Sequence, residues 1–213
     1  MNAKAWAAVF GIIAALLLVI AFFVPGETPD GDATANEWVE YIEDYETLVL
    51  IRAYLLIAAG LAIVAFYYLG VEPRLSGPRV SDQAMAHLGG AGAVLTAAAL
   101  AFAGLIGAAV GAAHLFGDVP IDARTAALFD NLFYGGLLVG AAIPAGVLMA
   151  VVAIESGRRK AFPVWVLVAS LIGVLGMAAA IVFLPFILLP IWLIAMGIAV
   201  AMAGEPAGRD APV

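Results

Sequence analysis

Apolar residues along this chain fall in long, nearly unbroken runs separated by short polar turns. That is the pattern of helices that cross a membrane, not of helices with one wet face. The runs cover about 6–24, 47–70, 84–116, 127–154, 164–184 and 186–203. Residues 47–70 alone make about 36 Å of helix, enough for a hydrocarbon core of roughly 30 Å. The apolar stretch 164–203 is too long for one crossing and suits two, with Pro185 as the natural hinge. The pattern therefore predicts an all-α membrane protein: one domain, 1–213, with six transmembrane helices.

The polar stretches carry their own signals. Residues 25–35, PGETPDGDATA, hold four breakers, and 36–46, NEWVEYIEDYE, follow as an amphipathic helical segment that runs without a break into span two. At about 100° per residue, Trp38, Tyr41, Tyr45, Leu48 and Arg52 share one stripe, with Glu40, Glu43 and Glu46 opposite. Residues 71–82, VEPRLSGPRVSD, read as a turn, with Ser81 or Asp82 as the cap of the third helix. The third run would be about 50 Å long if wholly helical. Gly89, Gly90 and Gly92 are therefore expected to mark a bend, or the point where its inner end leaves the core. Gly107 and Gly111 form a G-x-x-x-G pair that admits a neighbouring helix closely. A polar loop is expected at 117–125, a kink at Pro144 and a basic turn at 156–160.

Charge orients this arrangement. Six crossings place both ends of the chain on one side, together with Lys4, Arg74, Arg79, Arg158, Arg159, Lys160 and Arg209; only Arg124 falls on the other. The positive-inside rule makes the richer side cytoplasmic. Composition agrees with the class: 65% of residues are hydrophobic, 12% charged, and the mean hydropathy is +1.11, whereas soluble domains carry about 25% charged residues. The net charge of −7 is not a global field, because half of the acidic residues lie between Glu27 and Glu46. The first run exceeds a signal-peptide core of about 7–15 residues, and the small-residue triplet Ala33–Ala35 lies too far downstream for cleavage. It is expected to be a retained span.

Three segments carry a resemblance: RAYLLIAAG with the later FYYLGVEPRL, the glycine-rich AHLGGAGAV, and GRRKAFPVW with Pro163 and Trp165 at the start of the fifth run. In these the chain resembles a family of six-helix integral membrane proteins of actinobacteria that has no established function. The resemblance implies six spans and a bacterial plasma membrane. It implies no activity, cofactor or catalytic residue.

Arg52 is the one basic residue within a span, about 7–8 Å below its outer end. Three fates are open to it: snorkelling to the headgroups or the acidic loop, an ion pair with Asp130 at comparable depth, or a ligand-facing role. His114, Asn131 and Tyr134 end or begin neighbouring spans on the same side. With Arg52 and Asp130 they make a candidate outer-leaflet pocket for an anionic or amphipathic ligand, or else are separate interfacial residues. Trp38, Tyr41 and Tyr45 read as an interfacial aromatic face, with docking of a partner's outer domain as the alternative.

Other chemistry is thinly represented. There is no cysteine, and His87 and His114 would lie about 40 Å apart on one helix, too far to clamp a haem or share a zinc ion. Ser170 is the only serine deep in a span and has no base at its depth. No catalytic set, cofactor or metal is expected. The expected partners are the bilayer and either another membrane protein or a second copy, not nucleic acid. The role these features favour is a non-enzymatic accessory or scaffold component; a small carrier for an amphipathic ligand comes next, and a membrane enzyme last.

Overall fold

Inside an apolar solvent a backbone must satisfy its own N–H and C=O groups, so runs of this kind become helices. The computed structural model describes residues 3–24, 26, 28–29, 33–117, 122–179 and 187–203, and among them there is no strand. Eight α-helices follow one another among the described residues: α1 (Ala3–Phe23), α2 (Ala35–Phe66), α3 (Glu72–Leu75), α4 (Val80–Gly117), α5 (Ala123–Gly135), α6 (Ala142–Arg159), α7 (Val164–Ala178) and α8 (Leu188–Met202). π-helical turns at Tyr67–Val71 and Gly136–Ala141 join α2 to α3 and α5 to α6. Four continuous stretches, Ala3–Phe23, Asn36–Leu75, Val80–Gly117 and Arg124–Arg159, are long and apolar enough to cross a membrane; α7 and α8 are shorter apolar helices. Four such helices suggest a membrane protein. Pro185, Asp118, Pro120 and Arg209 lie outside the described residues.

The helices pack in chain order, and the last returns to the first. α1 lies on α2, α2 on α4, α4 on α6, α6 on α7, α7 on α8 and α8 on α1. Phe66, Tyr67, Leu100, Leu148, Met149 and Trp192 are fully buried within this ring. The seam between α2 and α4 is the most extensive. A Cβ added to Gly60 would stand 3.0 Å from the Ala97 Cα, one on Gly104 3.1 Å from the Ala53 Cα, and one on Gly111 3.1 Å from the Glu46 carbonyl. The positions step by seven along both helices, in opposite directions, as an antiparallel supercoiled pair requires. The G-x-x-x-G signal is thus divided: Gly111 serves α2 of the same chain, while Gly107 lies under Phe133 and the Arg52 guanidinium.

Several local expectations are corrected. The chain does not turn throughout 71–82, since helix persists to Leu75 and resumes at Val80. Pro73 stands in the first turn of α3, where its missing N–H is least costly, and the π turn before it absorbs the register change. Ser81 and Asp82 lie inside α4 rather than capping it, and the Asp82 carboxylate is committed to Arg159. Gly89, Gly90 and Gly92 mark neither a bend nor an exit from the core, because α4 is continuous and all three are buried. They are contact points. A Cβ on Gly89 would come within 2.8 Å of the Tyr67 hydroxyl, which donates to the Ala86 carbonyl, and one on Gly92 within 2.9 Å of the Pro144 carbonyl. The irregularity assigned to Pro144 sits just before it, in the Gly136–Ala141 π turn, where the proline leaves a preceding carbonyl without its helical donor.

At the end of the bundle opposite Arg52, the expected turn at 156–160 is helix as far as Arg159, and its arginines turn inward. The Arg159 guanidinium donates to the Leu75 carbonyl at 2.9 Å and pairs with Asp82 at 3.1 Å and Glu155 at 3.4 Å. Arg158 takes the other Glu155 oxygen at 2.9 Å. Both carboxylates are buried, so Arg159 holds the end of α3, the start of α4 and the end of α6 by charge that water screens only in part.

Two outcomes follow for thermal unfolding of the detergent-solubilised protein. Gly60→Ala and Gly104→Ala each lower the melting temperature, because backbone faces the new methyl. Gly135→Ala, with nothing within 4 Å, leaves it unchanged or raises stability by about 0.5–1 kcal/mol. Arg159→Ala costs on the order of 3 kcal/mol, the low end for a broken buried ion pair because a quarter of its side chain meets solvent. Adding Glu155→Gln to Arg159→Ala restores part of that loss.

Candidate functional site

The first turns of α2 are made by local chemistry. Thr34 accepts from the Glu37 backbone N–H, and the Glu37 carboxylate accepts from the Thr34 N–H, a reciprocal cap that starts the helix beyond the apolar run. From there Trp38 and Ile42 bury against Val110 of α4 and Ala126 of α5. Tyr41 meets Trp38 edge-on at 6.2 Å and Tyr45 at 5.2 Å. α5 is started by Asp122, whose carboxylate accepts from the Arg124 and Thr125 N–H groups and the Thr125 hydroxyl. The bonds from Thr125, backbone first, hold that carboxyl below its ordinary range. Three helices are thereby fixed around one small cavity.

That cavity has a volume of about 30 Å³, and its polar lining comes from Tyr41, Glu46, Arg52 and Asp130, with Trp38 and Phe129 among the apolar walls. Arg52 is only 6% exposed. Its guanidinium lies 4.0 Å from the Phe133 ring centre, in cation–π contact, rather than reaching the surface. Room for both groups comes from Gly107: a Cβ there would stand 2.9 Å from the Phe133 ring and 3.3 Å from an Arg52 nitrogen. The small residue in α4 is what admits a guanidinium between the helices.

The expected pocket is assembled in part. Arg52 and Asp130 share the cavity, but the direct ion pairs among the described residues are His114–Glu46, Arg158–Glu155, Arg159–Asp82 and Arg159–Glu155. A direct Arg52–Asp130 pair is therefore not formed. His114 stands at the rim, its Nδ1 2.7 Å from a Glu46 oxygen. Tyr134 is half-buried edge-on to Phe133, with ring centres 5.1 Å apart, and does not line the cavity. Asn131 is exposed and donates to the Ala127 carbonyl on its own helix. Of the aromatic face, Trp38 is buried, Tyr41 half-buried and Tyr45 exposed. The three do not share one environment.

Glu46 is the residue the helical-wheel reading misassigned, having placed it on the wet face with Glu40 and Glu43. The signal for it was present: it stands one turn after Ile42 and one turn before Val49, both buried. One cation, two carboxylates and a phenol thus converge on a space that suits small polar species. Drug-sized and amphipathic ligands need roughly 300–1,000 Å³.

No protein-family model, curated protein or solved structure matches this chain. What can be said of its role therefore rests on its own residues and their geometry.

Proposed function

We propose that the chain is a non-enzymatic accessory or scaffold subunit of a bacterial, actinobacterial-type plasma membrane. It crosses six times with both termini cytoplasmic and packs laterally against an apolar helix of a membrane partner. A groove of about 600 Å³ on the outer wall of the ring, between α4 and the π turn with α6, carries this reading. Its floor includes Ala91, Gly92, Ala98 and Gly140, its rims include Leu95 and Phe102, and no charged residue lines it. Along α4 it runs from Leu88 to Phe102, about 21 Å or four helical turns. A small-residue floor of that length lets a second backbone approach, and close packing is what joins helices where lipid removes any hydrophobic drive.

The sequential ring of six apolar helices and the seven-to-one distribution of basic residues support the topology. A carrier role has less behind it. The polar cavity would have to enlarge about tenfold to take an amphipathic ligand.

The chain's lack of cysteine makes the topology directly testable. A single cysteine at exposed Asp44 should react with a membrane-impermeant maleimide in intact cells, and one at exposed Lys160 only after permeabilisation; the reverse result inverts the orientation. For the lateral contact, native mass measurement after mild solubilisation should give the chain plus a discrete partner mass, or an integral multiple of the chain. Ala98→Leu, which fills the groove without reaching the core, should release the free chain. A lone monomer from the unmodified protein would end the scaffold reading.

A further inference from the structure

The guanidinium of Arg52 presents five N–H donors in a plane. Its face is occupied by Phe133 at 4.0 Å, which leaves the edge donors to be satisfied elsewhere. The ion pairs and hydrogen bonds among the described residues do not include that guanidinium, yet the residue is only 6% exposed. The Tyr41 hydroxyl, buried in the same place, has no hydrogen-bond partner among the described residues. A hydroxyl removed from bulk solvent without a partner is costly, and a guanidinium this deep must keep its edge donors on water.

Both groups border the cavity that Glu46 and Asp130 also line. A site holds a water molecule when it offers about 10–15 Å³ of probe-occupied space and two to four polar partners. At about 30 Å³ with four polar side chains, this one exceeds both requirements and has room for about two. Two carboxylates on the wall disfavour a small anion beside Arg52, and Arg52 disfavours a metal cation beside the carboxylates. A neutral molecule that both donates and accepts suits all four groups.

We propose that the cavity between α2, α4 and α5 is a specific water-binding site, whose one or two waters bridge the Arg52 guanidinium to the Asp130 carboxylate and the Tyr41 hydroxyl. Arg52 and Asp130 then form a water-separated ion pair. Each keeps its charge inside the bundle without the direct contact that the helix positions deny them. The two water hydrogens point to the acceptors, Asp130 and Glu46, while the water oxygen accepts from Arg52 and Tyr41.

The two buried tryptophans provide the test on the unmodified protein. Trp38 is 5% exposed and lines the cavity, whereas Trp192 is 2% exposed and donates to the Ser170 hydroxyl. X-ray radiolysis makes hydroxyl radicals from bound water, so Trp38 should be oxidised several-fold faster than Trp192, at a rate little affected by membrane-impermeant radical scavengers. Equal rates, or a Trp38 rate that scavengers abolish, would overturn the site. Coupling gives a second readout. Asp130→Asn combined with Arg52→Gln should lower the melting temperature by less than the two single changes summed, and strictly additive losses would mean that no water joins them. If either variant fails to fold, the radiolysis comparison still decides.

Discussion

The structure depends on how closely the backbones of α2 and α4 approach. Gly60, Ala53 and Glu46 descend one helix as Ala97, Gly104 and Gly111 ascend the other, and at each step a glycine on one side leaves the partner's backbone no room for a Cβ. In water such a seam would bury little apolar surface. In lipid, where burial is not the driving force, close approach gains dispersion contacts that no neighbouring lipid chain supplies as well. The same closeness sets the site. Gly107 lies about one turn from each of the seam glycines Gly104 and Gly111, and its missing side chain is the space that Phe133 and the Arg52 guanidinium occupy.

Charge inside this bundle is kept to its two ends and treated differently at each. At the Arg159 end the pairs are direct, with two buried carboxylates and two arginines within 3.4 Å of a partner, and the guanidinium also takes the Leu75 carbonyl at the close of α3. At the Arg52 end the cation is spread over an aromatic face and a cavity. A direct ion pair fixes positions tightly; a contact through a cavity tolerates small helix movements. The Arg159 end therefore anchors α3, α4 and α6 to one another directly.

Much of this was legible from residue order, and the misses share a cause. Apolar run length located the four long membrane-competent helices and the two shorter ones, because the bilayer imposes a length on each. The continuity of the 36–46 segment with span two was also readable, since nothing from Thr34 to Phe66 breaks a helix. Glycine was harder. Gly89, Gly90 and Gly92 look alike whether they bend a helix or admit Tyr67 and Pro144 from its neighbours, and only the neighbours decide. Charge was harder still. Asp82 reads as a cap, because the arginine that pairs with it, Arg159, arrives from elsewhere in the chain. Periodicity reports the face of a helix; it carries no information about which helix will cover that face.

The small residues of α4 bring that ambiguity to the question of partners. Their abundance alone is equally compatible with packing inside the chain and with packing against another protein. The geometry separates two series on the same helix. Ala97, Gly104 and Gly111 face α2 and are spent on it. Ala91 and Ala98, also seven apart, lie on the floor of the outward groove between the rims formed by Leu88, Leu95 and Phe102. Side chains six or seven positions apart along a helix diverge or align according to the 3.6-residue period, so Ala91 and Ala97 point away from each other while Ala91 and Ala98 share a face. Gly92 and Gly140 in that groove also meet Pro144 and Ala99 of the same chain, so its floor serves the ring as well. Large rims with a small floor are a shape into which another helix's ridge of side chains would fit, and the proposed lateral contact rests on that shape.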